Sequence, residues 1–322
     1  MASLKFIHRS LKVVASIALL LLFAGSMRYA SDLSDIAPSP KHARMVASGN
    51  PPGELHILTY NVLLRPSVLS SADYTLERAQ QIGKWLKHGN VDIVALQEAW
   101  DSQAVSILVE EVRHDLPYYI VNQPTEQPVR SISGGLTILS RWPIEEMRTL
   151  VYDNCSGFDC RASKGAVHVV IRLSANSYLN FVTTHLDAGE IFLDRKARAL
   201  QLEQLHEFMA EIDEDLGPVV VAADFNIDSL AGNGEYEELV DTLGVEGYEV
   251  SNISTLNCGL TSVFCEETTD PKRLDYVFTL SGEQRLRRKE TRHLPLATDS
   301  IDKHVRYLSD HCAVWVVFET NF

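Results

Sequence analysis

The chain has 322 residues, 45% of them hydrophobic, with a formal net charge of -14 and a pI near 5.2. That is enough apolar material for one large domain with a substantial core. An acidic protein gains little from counterion release, which argues against non-specific nucleic-acid binding, although an acidic site can still meet phosphate through a bound cation.

Lys5, His8, Arg9 and Lys12 precede an apolar run over 13–27, followed by Arg28, Tyr29 and Ala30. A basic head, a short apolar stretch and small residues predict a secretory signal peptide over 1–30 and a secreted or periplasmic protein. The run is shorter than the ~20 residues of a spanning helix, so an uncleaved membrane anchor is the alternative. Residues 31–53, with Pro38, Pro40, Pro51 and Pro52 among Ser, Asp and Ala, have the composition of a linker. Strand-like and helix-like segments then alternate without another break, which predicts one domain over 54–322.

The first strand-like run, 57–61, ends in Asn61. A stripe of Leu76, Ala79, Ile82 and Leu86 at helical spacing predicts a helix over 75–88. The run 93–98 ends in Glu98. A carboxylate at the end of an otherwise buried strand needs a partner or a cation, and oxygen ligands suit Mg²⁺. Capping of a helix suggested over 101–116 explains Glu98 equally well.

Val, Ile, Tyr and Phe mark further strands over 118–121, 136–139, 167–173, 178–185 and 219–223. Lys164-Gly165 precedes one of them; Lys164 suits a phosphodiester, or simply a solvated turn. The run 181–185 ends in His185. Ile191-Phe192-Leu193 follows it, either as a helix-start core contact or as an exposed apolar loop that touches lipid. A helix is predicted over 194–213, with Arg195, Lys196 and Arg198 on a solvated face.

Asp224-Phe225-Asn226 closes the run 219–224. In a strand Asp224 and Asn226 share a face, and together they offer donors and acceptors for a water and a phosphoryl oxygen; an Asx-type turn is the competing explanation. Two runs begin rather than end in polar groups: Asp275 ahead of 276–278, and Asp310-His311 ahead of 312–318. In antiparallel pairs the start of one strand lies beside the end of its neighbour, so all these groups can meet at one rim. His185 and His311 suit acid–base work near neutral pH with Asp275 and Asp310 as orienting carboxylates; alone, either histidine reads as structural.

Several strands succeed one another without a helix. This predicts an α+β fold, a four-layer α/β/β/α sandwich of two packed, mixed but mainly antiparallel sheets with outer helices. Five cysteines in an exported chain invite oxidation. Of the three pairings open to the first four cysteines, proximity favours Cys155 with Cys160 and Cys258 with Cys265, leaving Cys312 as a buried free thiol.

Seven segments taken in order resemble the endonuclease/exonuclease/phosphatase superfamily. They are Thr59-Tyr60-Asn61-Val62, Leu96-Gln97-Glu98, Gly134-Gly135-Leu136 through Ser140-Arg141-Trp142-Pro143-Ile144, Thr184-His185-Leu186, Ala223-Asp224-Phe225-Asn226, Leu274-Asp275-Tyr276 and Ser309-Asp310-His311. Ala162-Ser163-Lys164-Gly165-Ala166 and Arg273-Leu274-Asp275-Tyr276-Val277 are most similar to its neutral sphingomyelinase branch. The long apolar hairpin of some secreted members is not evident.

The resemblance implies a Mg²⁺-dependent phosphodiesterase, other divalent cations being possible, that cleaves sphingomyelin-type phospholipid at a membrane surface into ceramide and phosphocholine. It implies Glu98, Asn61 and Asp310 on the metal side, His311 as general base oriented by Asp275, and Asp224 and Asn226 positioning water and phosphate. His185 then stabilises or protonates the leaving group, and Lys164 binds substrate. A secreted nuclease on the same scaffold, and a non-catalytic lipid- or partner-binding module, are the competing functions; no obligate protein partner is implied.

Overall fold

The computed structural model describes residues 50–66, 74–123, 130, 132–246, 253–256, 271–298, 301 and 307–322. All of them fall in the unit Pro38–Phe322. The basic–apolar leader, most of the linker, Cys258 and Cys265 lie outside the described residues. Among the described residues no helix is long and apolar enough to cross a membrane.

Two sheets form the fold. The first contains β1 (Glu54–Leu64), β2 (Ile93–Ala99), β3 (Tyr118–Gln123), β4 (Leu136–Ser140), β10 (Leu286–Leu294) and β11 (Ala313–Thr320), in the order β10-β11-β1-β2-β4-β3. The second runs β5-β6-β7-β8-β9, from β5 (Ile144–Val151), β6 (Gly165–Arg172), β7 (Tyr178–Thr184), β8 (Val219–Asp224) and β9 (Asp275–Thr279). Only β1–β2 and β7–β8 are parallel; the other pairs are antiparallel. The expected mixed, mainly antiparallel sheets are therefore present.

Period-two alternation explains how the sheets face each other. Leu55 and Ile57 of β1, Ile93 and Ala95 of β2, Leu179 and Phe181 of β7, and Val220 and Ala222 of β8 all turn into one buried cluster between the sheets. Truncating a side chain as deep as Phe181, which exposes no surface, costs about 3–5 kcal/mol. The outer face of the second sheet, with Val182, Val221 and Tyr276, packs under α3 (Phe192–Met209) and α4 (Glu235–Leu243). On the first sheet α1 (Thr75–His88) lies against β1 and α2 (Ser102–Val112) against β2. The result is the four-layer sandwich.

Three local outcomes differ from expectation. The cap of α2 is Asp101, whose Oδ1 accepts the Ala104 amide at 2.9 Å, so Glu98 is released from capping. Arg198 leaves the solvated face: it is buried, donates from Nε to Glu235 at 2.6 Å, and reaches the Asp187 and Gly189 carbonyls. Cys155 and Cys160 are joined as expected, but Cys312 is also disulfide-bonded and is not a free thiol. Burial at 3% exposure does not exclude oxidation when a second sulfur is brought against the strand; its partner lies outside the described residues.

Candidate active site

Followed along their inward faces, the core-lining strands change from apolar to polar at the same end. Above Ile57, Ala95 and Phe181, the next inward residues are Thr59, Gln97 and Thr183. Gln97 Nε2 donates to Thr59 Oγ1 at 3.0 Å and to Thr183 Oγ1 at 3.2 Å, stitching the two sheets together. One step further out stand Asn61, His185 and Asp224, with Asp275 paired in register opposite Asp224. Parallel β1–β2 and β7–β8 end at this rim, while antiparallel β9 and β11 begin there. The opposed strand directions bring together residues more than two hundred positions apart.

Asn61 is the centre of this rim. Its Nδ2 donates to Glu98 Oε1 at 3.0 Å and to Asp224 Oδ2 at 2.9 Å, and its Oδ1 accepts the Leu63 amide at 3.2 Å. Asn61 thus holds one carboxylate from each sheet and turns its oxygen to the backbone rather than to the pocket. Glu98 reaches it through a left-handed backbone, φ 55°. That conformation costs a non-glycine residue about 1–2 kcal/mol and swings the carboxylate out of the strand's alternation.

His311 Nδ1 lies 2.8 Å from Asp275 Oδ2, and its Nε2 lies 3.9 Å from Asp224 Oδ2. The backbone beside this dyad is fixed by Ser309, whose Oγ donates to the Asn61 carbonyl at 2.6 Å. Thr255 Oγ1 accepts the Asp275 amide at 3.2 Å. Burial opposes charge on His311, but Asp275, Asp224 and Asp310 outweigh it and hold the imidazole well above its ordinary pKa.

His185 is the opposite case. Burial, then Lys164 and His311, push it well below its ordinary pKa, so the ring is neutral at pH 7. Its Nε2 lies 3.2 Å from Lys164 Nζ, 3.7 Å from Asp224 Oδ2 and 3.9 Å from Glu98 Oε1. Lys164 is not in a solvated turn. It is 2% exposed and also donates to Asp159 Oδ2 at 2.6 Å and to the Leu186 carbonyl at 2.8 Å.

Asn226 leaves the strand geometry. Its amide donates to Asp224 Oδ1 at 2.9 Å in an Asx turn with φ 52°, and its Nδ2 donates to the Leu186 carbonyl at 3.0 Å. It still borders the pocket, but through a turn rather than through a shared strand face. Asp310 Oδ1 lies 3.2 Å from Ser309 Oγ, whose hydrogen goes to the nearer Asn61 carbonyl, and Asp310 stands near enough to Glu98 to affect its charge. All nine residues singled out in the sequence thus belong to one connected rim. Asp159, which anchors Lys164, and Trp100, whose ring lies 6.4 Å from that of His185, were not expected there. The only signal for Asp159 was its place inside the cysteine loop.

Burial first, and proximity second, disfavours charge on the carboxylates. Burial, then Asp310, raises Glu98 to about 7; burial, then Asp275, raises Asp224 to about 6. A buried anionic cluster with hard oxygen donors fits a divalent cation, which would relieve both effects. Asp224, Asp275 and His311 also offer ligand atoms within 4.8 Å of one another. There His311 Nδ1 and Asp275 Oδ2 already satisfy each other, while Asp275 Oδ1 is buried without a partner among the described residues.

The profile of the Endonuclease/Exonuclease/phosphatase family matches residues 58–311. Sphingomyelinase C of Leptospira interrogans is 26% identical over 276 residues, covering 79% of this chain and 49% of that protein. The chain therefore spans about half the length of that relative. Phospholipase C of Staphylococcus aureus is 27% identical over 292 residues, covering 84% of this chain and 83% of the other. A crystal structure of mutant beta toxin from Staphylococcus aureus with bound magnesium ions superposes with a TM-score of 0.69 at 23% identity, covering 82% of this chain and 99% of that one. The last likeness is one of fold.

Proposed function

Because the chain belongs to the endonuclease/exonuclease/phosphatase family, we propose that it is a secreted, Mg²⁺-dependent phosphodiesterase that hydrolyses sphingomyelin-type phospholipid to ceramide and phosphocholine. The observation that carries the reading is the His311–Asp275 dyad facing Asp224 across the Asn61–Glu98 clamp. The sphingomyelinase and phospholipase relatives direct the substrate choice toward lipid, and the net charge of -14 disfavours a polyanion.

In this reading a cation beside the carboxylates would offset the negative charge that raises His311, and Asp275 keeps the neutral imidazole oriented so that Nε2 faces the attacking water and takes its proton. Asp224 and the Asn226 side-chain oxygen align that water for in-line attack at phosphorus; the bond from phosphorus to the ceramide oxygen breaks, and the alkoxide takes a proton from solvent water, whose hydroxide is neutralised by the proton gained by His311. Glu98, with Asp310 on the same side, would hold the cation, which would supply charge neutralisation at the phosphoryl oxygens. Lys164 donates toward His185 Nε2, which supports charge stabilisation at the leaving oxygen for this pair rather than proton donation by His185. Lys164 acts here through His185, since its donors already have acceptors.

Export is supported by the basic–apolar leader and by the Cys155–Cys160 disulfide, a bond of oxidising compartments. The test measures phosphocholine release from sphingomyelin vesicles beside plasmid nicking, each with magnesium and with chelator. Magnesium-dependent phosphocholine release is expected. Nicking without lipid hydrolysis would transfer the site to a nuclease, and neither activity would leave a binding module.

A further inference from the structure

Ile191, Phe192 and Leu193, at the entry to α3, expose 64%, 77% and 58% of their surface, and Phe158 in the neighbouring 3-10 turn exposes 68%. These are the four most exposed large apolar side chains among the described residues. The segment that carries them is held firmly. Asp194 Oδ2 accepts the Ile191 amide at 3.0 Å, and the buried Arg198 grips the Gly189 carbonyl at 2.7 Å. Gly189 has φ 95°, and a Cβ there would lie 2.2 Å from Asp194 Oδ2, so the close approach requires glycine.

The two apolar tips are tied to one another and to the pocket. Asp159 Oδ2 accepts both the Ala188 amide at 2.7 Å and Lys164 Nζ at 2.6 Å, and Lys164 reaches His185. Arg161, Arg195 and Lys196 are exposed beside these tips, and neither Arg195 nor Lys196 forms an ion pair among the described residues. Apolar tips flanked by cations, with the neighbouring Glu190 neutralised by Lys272, are unusual on a chain of net charge -14.

We propose that Phe158, Ile191, Phe192 and Leu193, ringed by Arg161, Arg195 and Lys196, form a docking face that inserts among phospholipid head groups and seats the pocket on the bilayer. Side chains this exposed project from the surface rather than pave a flat partner interface. Apolar tips with flanking cations match the acyl boundary and the lipid phosphates respectively. The proposal rests on the lipid-phosphodiesterase reading for its substrate, but the docking itself needs no hydrolysis.

The test compares the full chain with the Phe192→Ser/Leu193→Ser variant in co-sedimentation with sphingomyelin–phosphatidylcholine vesicles. Turnover is read in parallel on those vesicles and on the water-soluble diester p-nitrophenyl phosphorylcholine. Each buried side chain contributes roughly tenfold to partitioning, so binding and vesicle turnover should fall about a hundredfold while soluble turnover stays within about twofold. A Phe192→Trp variant should add blue-shifted emission on the same vesicles. Unchanged vesicle binding in the double variant, or no emission shift, overturns the proposal. So does a dimer in light scattering that the double variant dissociates, since the face would then join two copies. Vesicle binding lost in the variant, with no lipid hydrolysis by either protein, keeps the docking face and rejects the enzymatic reading.

Discussion

Lys164 Nζ stands 3.2 Å from His185 Nε2, and a lysine ammonium has hydrogens to give but no lone pair to accept one. Nε2 is therefore the acceptor, and the ring proton of the neutral imidazole sits on Nδ1, which is buried without a hydrogen-bond partner among the described residues. The relation ties the charge of His185 to a side chain that the active site does not otherwise use.

Replacing Lys164 by Met should release that constraint. The His185 pKa should rise toward the ordinary 6.5, read by NMR of the imidazole, and kcat should fall by at least tenfold. Breaking the buried pair with Asp159 should also cost about 3–5 kcal/mol in denaturant unfolding. A His185 titration that does not move would show that Lys164 does not govern it.

His311→Ala should lower kcat by about a hundredfold to ten-thousandfold with an unchanged circular dichroism spectrum. Asp275→Asn should fall within the same range, because an amide no longer enforces the imidazole orientation. Normal turnover in either variant would remove the dyad from the chemistry.

The raised carboxyl groups set a pH dependence. Glu98 at about 7 and Asp224 at about 6 both lie above their unfolded values near 4, so each stabilises the fold while protonated. That contribution is complete below about pH 4 and is lost as pH rises through 6 and 7. Metal-free protein should therefore lose Tm between pH 5 and pH 8. Magnesium affinity should tighten by up to about tenfold per unit toward pH 7 and then level off, as the last proton leaves Glu98. Calorimetry showing equal magnesium affinity at pH 5 and pH 8 would place the cation elsewhere.

Asn61→Ala should uncouple the two carboxylates that the amide bridges. Two buried hydrogen bonds to charged groups are lost, at about 1.5–3 kcal/mol each before relaxation, and hydrolysis should fall by more than tenfold. Asn61→Asp should be worse than Asn61→Ala at pH 8, since it adds a third carboxylate between Glu98 and Asp224. The opposite order would contradict the clamp.

Much of this was readable in the residues. The run 219–224 is apolar on both faces, as a strand buried on both sides must be, and it ends in Asp224 where the core ends. The stripe Leu76, Ala79, Ile82 and Leu86 made α1 legible to the residue. β10 was not expected because Arg287, Arg288, Lys289, Glu290 and Arg292 show no apolar alternation. It is an edge strand whose Arg288 and Arg292 cover the rings of Phe318 and Trp315. Arg198 is not distinguished in the sequence, because three basic residues in one helical turn look alike until a carboxylate from another helix selects one. The exposure of Ile191, Phe192 and Leu193 was equally hidden, since periodicity reports that a side chain is apolar and not that a core awaits it.

The strand order β10-β11-β1 places the first strand of the domain beside the last. Until β11 has been synthesised, β1 is an open edge and the pocket lacks His311, however well the rest has folded. A chain interrupted before β11 is consequently inert, and hydrolysis requires the strand that closes the sheet over β1.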